Sequence, residues 1–268
     1  MAPSTSNSAN EGTALTHPGS GAIALAAWTA LMLATSGAHA QVRELRWDPP
    51  IDATVTLVGG ALWLASVALQ PELAPSACRW CRGNALDDGV REKLLWRDPR
   101  LAEDVSDVTA FALVPAATLG LDALAASHDH APRGVGLDAF LALEATVLAL
   151  EANQLTKLLV ARERPYVRAG HPDGIPHRSH TDDDDVSFFS GHATETFALA
   201  AATGTVATMR GYRWAPVPWI VGGGLAAGTG YLRVAADRHW FTDVLVGMIV
   251  GIGIGVAVPL LFHAPAGG

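Results

Sequence analysis

The sequence FTDVLVGMIVGIGIGVAVPLLF, residues Phe241–Phe262, has one acid near its start and no charged residue after it. A run of about 20 predominantly apolar residues is the length that an α-helix needs to cross a lipid bilayer. Gly247, Gly251 and Gly255 recur at every fourth position, a spacing that lets membrane helices approach each other closely. The segment therefore predicts a membrane-spanning helix with a closely packed neighbour.

The whole chain is apolar for a protein of its size. Of its 268 residues, 50% are hydrophobic and only 16% are charged, and the mean hydropathy is +0.25, which favours a protein in or beside a membrane. The formal net charge of −8 argues against a nucleic-acid partner, because binding to a phosphate backbone needs a basic surface. We therefore expect the membrane, and no nucleic acid, as a partner.

Five further apolar stretches precede Phe241–Phe262. They are rich in Ala, Leu, Val and Gly, they do not alternate between polar and apolar residues, and loops with Pro, Gly and charged residues separate them. This pattern predicts an all-α fold, a six-helix bundle embedded in a membrane, and argues against a sheet. The acids Asp122, Glu144 and Glu151 should face the interior of the bundle, because an acid in contact with lipid is costly. The five stretches are 53–69, 108–126, 137–160, 193–209 and 217–231.

Residues 1–40 have the features of a tail followed by a secretory signal. Residues 1–21 contain no Lys or Arg and are rich in small and polar residues, which is typical of a disordered tail. Residues 22–34 are apolar, and Ala38-His39-Ala40 matches a signal cleavage site. A basic segment before the apolar run is missing, so an uncleaved anchor helix is the alternative. We expect export to the bacterial cell envelope, with one helical domain at 41–268.

The number of membrane crossings leaves the topology open. Cleavage of the signal together with a spanning 53–69 would place the loops after 160, before 193 and between 231 and 241 in the cytoplasm. Three alternatives avoid this outcome. Residues 22–40 insert as an anchor, or residues 53–69 do not span, or the whole bundle lies in the periplasm.

The only two cysteines, Cys78 and Cys81, stand in the sequence CRWC. In an exported protein such a pair forms a local disulfide or stays as two thiols, and a zinc site would need two further ligands nearby. The tryptophan lies between the cysteines and no βαβ pattern surrounds them, which disfavours a thioredoxin-like redox site.

Three short polar motifs lie where apolar segments meet loops. The first is KLLVARERP, with Lys157 and Arg164 at the end of the stretch 137–160. Both side chains could reach one anion, the guanidinium as a bidentate fork and the ammonium as a point charge. Basic residues also complement the dipole of a helix end, so this motif alone is ambiguous.

The second motif is Ser190-Gly191-His192, directly before the stretch 193–209. A helix N-terminus offers unpaired backbone N–H groups and the positive end of the dipole, and small residues there let an anion approach the backbone. The alternative is that Ser190 only caps the helix.

The third motif is YLRVAADRHWFTDV, in which Arg233 precedes His239 and Asp243 follows it at four positions. If the last helix begins near 239, the imidazole and the carboxylate share one helical face. The carboxylate can then fix the tautomer of the ring and leave the other nitrogen free as a nucleophile. Taken singly, this pair is also compatible with a surface network.

The three motifs together, Lys-x6-Arg-Pro, Ser-Gly-His and Arg-x5-His-x3-Asp, resemble those of the type-2 phosphatidic acid phosphatase superfamily, which also includes bacterial class A acid phosphatases and vanadium haloperoxidases. The resemblance covers about residues 53–262. It implies that His239 attacks phosphorus to form a phosphohistidine, that Asp243 orients it, and that His192 is the general acid for the leaving alkoxide. It implies no metal and no other cofactor. The phosphoryl oxygens would be held by Lys157, Arg164, Ser190, Gly191 and Arg233.

Two positions depart from the family pattern. Phe189 stands where the family usually has Pro, and Leu232 where it usually has Ser. Neither position carries proton transfer or nucleophilic attack, so we expect these changes to affect rate and substrate fit more than the existence of activity.

A second cluster of polar residues lies in the loop before Ser190. His171, His177 and His180 precede the acidic run 182–185, and such residues could bind a metal ion. The prolines and the glycine among them favour a solvated lid or a substrate-access loop instead.

We therefore expect a metal-independent phosphatase that hydrolyses lipid phosphate monoesters or diphosphates on the periplasmic side of the membrane. The sequence does not choose among the lipids. One alternative is a soluble periplasmic acid phosphatase of broad specificity, and another is a non-catalytic lipid-binding or structural membrane bundle. A haloperoxidase is disfavoured because the chains of that group are usually much longer.

Overall fold

A computed structural model describes residues 42–81, 83–169 and 181–265. The described residues are helical and form no β-strand, only two isolated bridges, Leu45 with Pro265 and Trp80 with Arg162. The predicted all-α fold is therefore confirmed. The helices are α1 Pro49–Ala68, α2 Gln70–Leu73, α3 Ala85–Leu94, α4 Pro99–Val108, a π-helical turn Thr109–Leu113, α5 Val114–His128, a 3₁₀ turn Pro132–Gly134, α6 Val135–Val160, α7 Pro165–Ala169, α8 Gly191–Arg210, α9 Pro216–Ala235 and α10 Phe241–Phe262.

The helices that form outnumber the apolar stretches of the sequence. Each of the six stretches overlaps a long helix, and α4, the π-helical turn and α5 continue into each other as one helix, Pro99–His128. The amphipathic helix α3 and the short α7 are additional, so the predicted count of six is not confirmed. The predicted tail and signal or anchor, residues 1–40, lie outside the described residues.

Helix α8 is the centre of the bundle and contacts α6, α9 and α10. Many of its buried positions are small, as at Ala200, Ala201 and Ala202. The glycine stripe of α10 packs against it, as the spacing predicts. A Cβ added at Gly251 would lie 2.5 Å from the Thr194 carbonyl oxygen, and one at Gly255 would lie 2.5 Å from that of Ala198. Only glycine permits this approach, which places the start of α10 beside the start of α8.

The outer surface of the bundle is apolar. Leu57 is 72% exposed and Leu64 on the same helix is 61% exposed, while Phe262 on α10 is 62% exposed. Large apolar side chains face outward and small ones pack inside, which is the arrangement that contact with lipid allows. Three helices are long and apolar enough to cross a membrane: Pro49–Ala68, Pro99–His128 and Phe241–Phe262.

Helix ends place the polar motifs at one end of the bundle. α6 ends at Val160 because Ala161 adopts a left-handed conformation with φ 50°, which turns the chain back toward the bundle. α8 begins after Ser190, whose Oγ lies 3.5 Å from the N–H of Ala193. α10 begins after Trp240. The ends of α1, α6 and α9 therefore meet the starts of α4, α8 and α10 around a single cavity.

Candidate active site

The cavity at this end of the bundle has a volume of about 230 Å³. Six of the eight residues that the sequence predicts for the site line it, whereas Ser190 and Asp243 are buried behind its wall. One side of the wall is apolar. The six predicted residues are Lys157, Arg164, Gly191, His192, Arg233 and His239, and the apolar side consists of Trp63, Val67, Phe111 and Leu150.

His239 is buried in the cavity wall with a defined tautomer. Its Nδ1 lies 2.8 Å from the carbonyl oxygen of Ser187, and a carbonyl oxygen only accepts, so Nδ1 carries the proton. Its Nε2 lies 3.3 Å from Nη1 of Arg164, which can donate to the Nε2 lone pair. Burial lowers the pKa of His239 well below its ordinary value, and the charges of Arg164, Arg233 and Lys157 lower it further. The imidazole is therefore neutral, as a nitrogen nucleophile must be.

Asp243 does not contact His239 directly. Its Oδ2 lies 3.7 Å from Nδ1 of His239, which is too long for a hydrogen bond. The carboxylate instead accepts hydrogen bonds from Ser187 Oγ at 2.6 Å and from the Trp240 N–H at 3.0 Å. Asp243 thus fixes Ser187, and the carbonyl of Ser187 holds the imidazole.

A buried arginine that lies within the first motif but was not predicted as a site residue, Arg162, supports this arrangement. Its guanidinium is paired with the carboxylate of Asp243 and donates to Asp87 Oδ2 at 2.6 Å. It also donates to Thr242 Oγ1 at 2.8 Å and lies 4.0 Å from the centre of the Trp80 ring. Both carboxylates are compensated by one cation in the interior, where an unpaired charge would be costly.

Arg164 is held in place by the acidic loop and by backbone. Its Nε and Nη2 donate to the carbonyl and the carboxylate of Asp183 at 2.7 and 2.6 Å. Its Nη1 donates to the Arg238 carbonyl at 2.7 Å, which directs this nitrogen toward His239. The acidic run that suggested a lid therefore supplies a positioning contact at Asp183. The alternative metal site at His171, His177 and His180 lies outside the described residues.

Arg233 and Lys157 provide two further positive charges. Arg233 Nη1 donates to Ser106 Oγ at 2.9 Å and to Asp107 Oδ1 at 3.3 Å, and its buried Nε has no hydrogen-bond partner among the described residues. Burial lowers the pKa of Lys157 to about 8, and the charge of Arg164 contributes in the same direction. Buried positive charges that repel one another favour the binding of an anion, because the anion relieves the repulsion.

Gly191 and Ser190 differ in what they offer to a ligand. A Cβ added at Gly191 would lie 3.2 Å from Asn153 Oδ1 and 3.3 Å from Lys157 Nζ, so only glycine leaves this part of the cavity open. The side chain of Ser190 is fully buried and caps α8. The capping alternative for Ser190 is the one that the geometry favours.

His192 also lines the cavity and contacts an acid that the sequence analysis missed. Its Nε2 is 2.8 Å from Asp107 Oδ1, and its ring packs edge-on against Phe111 with ring centres 5.0 Å apart. Burial lowers the pKa of His192 to about 4, with a further contribution from Arg233, while Asp107 acts in the opposite direction. Bound anionic charge would raise this pKa again.

A second ion-pair network surrounds the cavity opening. Arg238 pairs with Glu103 and lies 3.3 Å from Asp183 Oδ2, and Arg238 and Glu103 both line the cavity. Neither was predicted, although Arg238 directly precedes His239 in the sequence.

The two cysteines form a disulfide, so the local-disulfide alternative is confirmed. Their loop packs on the end of the bundle that holds the cavity. The N–H groups of Arg79 and Trp80 both donate to the Ala161 carbonyl, at 2.9 and 3.2 Å, next to Arg162.

Comparison with known proteins agrees with the motifs. The sequence profile of the PAP2 superfamily matches residues 138–265, a range that contains all eight predicted site residues. No curated protein matches the chain. A solved transmembrane PAP2-type phosphatidylglycerolphosphate phosphatase from Bacillus subtilis is 20% identical, with a TM-score of 0.47, over 76% of this chain and 93% of the other. The superfamily resemblance that the motifs predicted is therefore confirmed over residues 138–265.

Proposed function

We propose that the protein is a membrane phosphatase that hydrolyses lipid phosphate monoesters or diphosphates through a phosphohistidine on His239. The observation that carries this proposal is the neutral imidazole of His239, whose Nε2 meets Arg164 at 3.3 Å in a cavity that Lys157 and Arg233 also line. A nucleophile among three cations suits an electrophile that carries several negative charges.

The reaction has two steps in this proposal. First, Nε2 of His239 bonds to phosphorus, the bond from phosphorus to the ester oxygen breaks, and that oxygen takes a proton from His192. The Nδ1–H that His239 donates to the Ser187 carbonyl stabilises the positive charge of the phosphorylated ring. Second, water gives a proton to His192 and attacks phosphorus, the N–P bond breaks, and phosphate leaves.

Asp107 and Asp243 act as positioning residues in this scheme. Asp107 holds His192 at Nε2, so Nδ1 is the nitrogen that exchanges a proton with the leaving oxygen. The negative charge of bound phosphate raises the proton affinity of His192, which supplies the acid form that the first step needs. Asp243 acts through Ser187.

The three cations also take the place of a metal in the proposal. Lys157, Arg164 and Arg233 stabilise the charge that develops on the equatorial oxygens, and the N–H of Gly191 can donate to one of them. We therefore expect turnover to continue in EDTA.

The apolar wall of the cavity supports a lipid as the substrate. Trp63 and Val67 on α1 line the cavity together with Phe111 and Leu150, and the outer surface of these helices is apolar. An acyl or prenyl chain can extend from the phosphate along this wall into the bilayer. Gln154, whose buried Nε2 has no hydrogen-bond partner among the described residues, can meet a polar group between phosphate and chain.

The disulfide supports a catalytic end on the periplasmic side of a bacterial envelope. Cys78 and Cys81 pack at this end, and disulfides persist in oxidising compartments. An apolar outer surface disfavours the soluble acid phosphatase among the alternatives.

The test is turnover of the purified protein, in EDTA, on a panel of lipid phosphates and soluble phosphate esters. We expect release of phosphate from lipids, and loss of release in His239→Ala. His128→Ala is the matched control, because His128 stacks on Trp214 at the opposite end of the bundle. Absence of turnover on every substrate would support the non-catalytic bundle, and activity restored by magnesium after chelation would overturn the metal-independent site.

A further inference from the structure

Asp52, Glu144 and His263 form a buried cluster at the end of the bundle opposite the cavity. Asp52 lies in the first turn of α1, Glu144 lies within α6, and His263 directly follows α10. Glu144 is separated from the catalytic end of α6 by about 24 Å along the helix axis. The three side chains are 7%, 4% and 1% exposed in this order. The cluster takes no part in the phosphate site.

In its neutral form, His263 directs a lone pair into this cluster. Its Nδ1 lies 3.1 Å from the Arg46 carbonyl oxygen, and since a carbonyl only accepts, Nδ1 carries a proton. In the neutral ring Nε2 is then unprotonated. Histidines that bind metals commonly donate their other ring N–H to a backbone carbonyl in this way.

The atoms that face each other in the cluster lack hydrogen-bond partners. Nε2 of His263 and Oε2 of Glu144 are both buried without a partner among the described residues, and they lie 3.5 Å apart. Oδ2 of Asp52 accepts from the Asp48 N–H at 2.7 Å. One ligand atom from each of the three residues lies within 4.8 Å of the other two. Buried acceptors that face each other need a cation between them.

The distance between His263 and Glu144 fits two ligands of one metal ion better than a shared proton. A charge-assisted hydrogen bond would bring nitrogen and oxygen to about 2.7–2.9 Å, shorter than the 3.5 Å between His263 and Glu144. A tetrahedral zinc ion with bonds of about 2.0–2.2 Å holds its ligands about 3.3–3.6 Å apart.

We propose that Asp52, Glu144 and His263 bind a divalent cation of the zinc type. One imidazole and two carboxylates suit Zn²⁺, whereas Mg²⁺ and Ca²⁺ prefer oxygen ligands alone. The cation compensates two buried carboxylates and joins α1, α6 and the end of α10. Its role is structural, so its removal weakens the packing of α1 on the bundle without changing the chemistry at His239.

The test uses the full chain in detergent micelles, stripped of metal and then titrated with Zn²⁺ or Mg²⁺. We expect a saturable rise of the unfolding temperature with Zn²⁺, one bound equivalent that depends on Glu144 and His263, and no rise with Mg²⁺. Glu144→Gln and His263→Gln should weaken Zn²⁺ binding by more than about 100-fold, beyond the 10–100-fold that outer-shell changes produce. The triple variant His171→Gln/His177→Gln/His180→Gln is the matched control and should keep the rise.

The proposal is overturned if Zn²⁺ does not raise the unfolding temperature, if Glu144→Gln keeps the full rise, or if the triple control loses it. X-ray absorption of the zinc-loaded triple control identifies the zinc ligands while Asp52, Glu144 and His263 remain unchanged. One imidazole with oxygen ligands is expected, and two or more imidazoles would contradict the proposal. Because activity is not the readout, the result is independent of the proposed phosphatase function.

Discussion

Replacing Lys157 with Arg should remove a pH dependence of anion binding that the wild type shows above about pH 8. Burial and the nearby charge of Arg164 lower the pKa of Lys157 to about 8. An anion favours the charged ammonium, so affinity is complete below this pKa and falls as the pH rises through it. Each unit of pH above it weakens binding about tenfold, or about 1.4 kcal/mol, until the pKa of the anion-bound state is reached.

The other groups in the cavity keep their charge over this range. The pKa values of His192 and His239 are lowered, so both rings are neutral in the anion-free protein, and a proton that His192 gains with the anion affects the wild type and Lys157→Arg alike. Burial lowers the pKa of Arg233 only to about 10. The guanidinium of Lys157→Arg stays charged, so its anion affinity should fall less steeply with pH than that of the wild type.

The assay is competitive inhibition by tungstate, an oxyanion whose charge is constant over this range. Between about pH 8 and about pH 9 the inhibition constant of the wild type should rise about five- to sixfold more than that of Lys157→Arg. Lys93→Arg, which changes the only other lysine in the chain, should behave as the wild type. An equal rise in wild type and Lys157→Arg would refute the assignment of this pKa to Lys157.

Three further predictions follow from contacts in the bundle. His192→Ala should lose about 10²–10⁴-fold in kcat/KM on an alkyl phosphate and less on an aryl phosphate, whose leaving group needs no proton; equal losses on both esters would contradict its role as the acid. Arg162→Met should lower the free energy of unfolding by about 3–5 kcal/mol, because it leaves Asp87 and Asp243 buried without their cation. The control Arg213→Met breaks an ion pair whose arginine side chain is 41% exposed, so it should change the free energy of unfolding by less than about 1 kcal/mol. Thermal unfolding in detergent compares the two variants, and similar losses would refute the buried network. Gly251→Ala should destabilise by about 1–3 kcal/mol because its Cβ would meet the Thr194 carbonyl at 2.5 Å, whereas Gly253→Ala, with nothing within 4 Å of the added Cβ, should be neutral or stabilising by up to about 1 kcal/mol.

The lengths of the apolar segments and the spacing between them predict the long helices, because burial and lipid contact dominate the stability of these helices. The stripe of Gly247, Gly251 and Gly255 predicts the approach of α10 to α8, since only small residues permit backbone contact at that distance. The helix α3 escaped prediction because it is polar and rests on tertiary contacts. Its Asp87 is fully buried against Arg162, 75 positions away in the sequence.

The motifs predict which side chains line the cavity, but not how they are oriented. The spacing of His239 and Asp243 suggested a direct contact on one helical face, and α10 begins only after Trp240, so His239 lies outside the helix. Its partner is a backbone carbonyl, that of Ser187, which carries no sequence signature. Asp107 was missed because it meets His192 across 85 positions of sequence, and no local pattern marks such a pair.

The most direct test of the phosphatase mechanism is to trap and locate the phosphoenzyme. The wild type and His192→Ala are mixed with an aryl phosphate, quenched within the first turnover, digested, and searched for an acid-labile phosphate by mass spectrometry. The account predicts phosphohistidine at His239, with more of it in His192→Ala because the water that hydrolyses it lacks its base, and none in His239→Ala. Phosphate on another residue, or a phosphoenzyme that persists in His239→Ala, would contradict it.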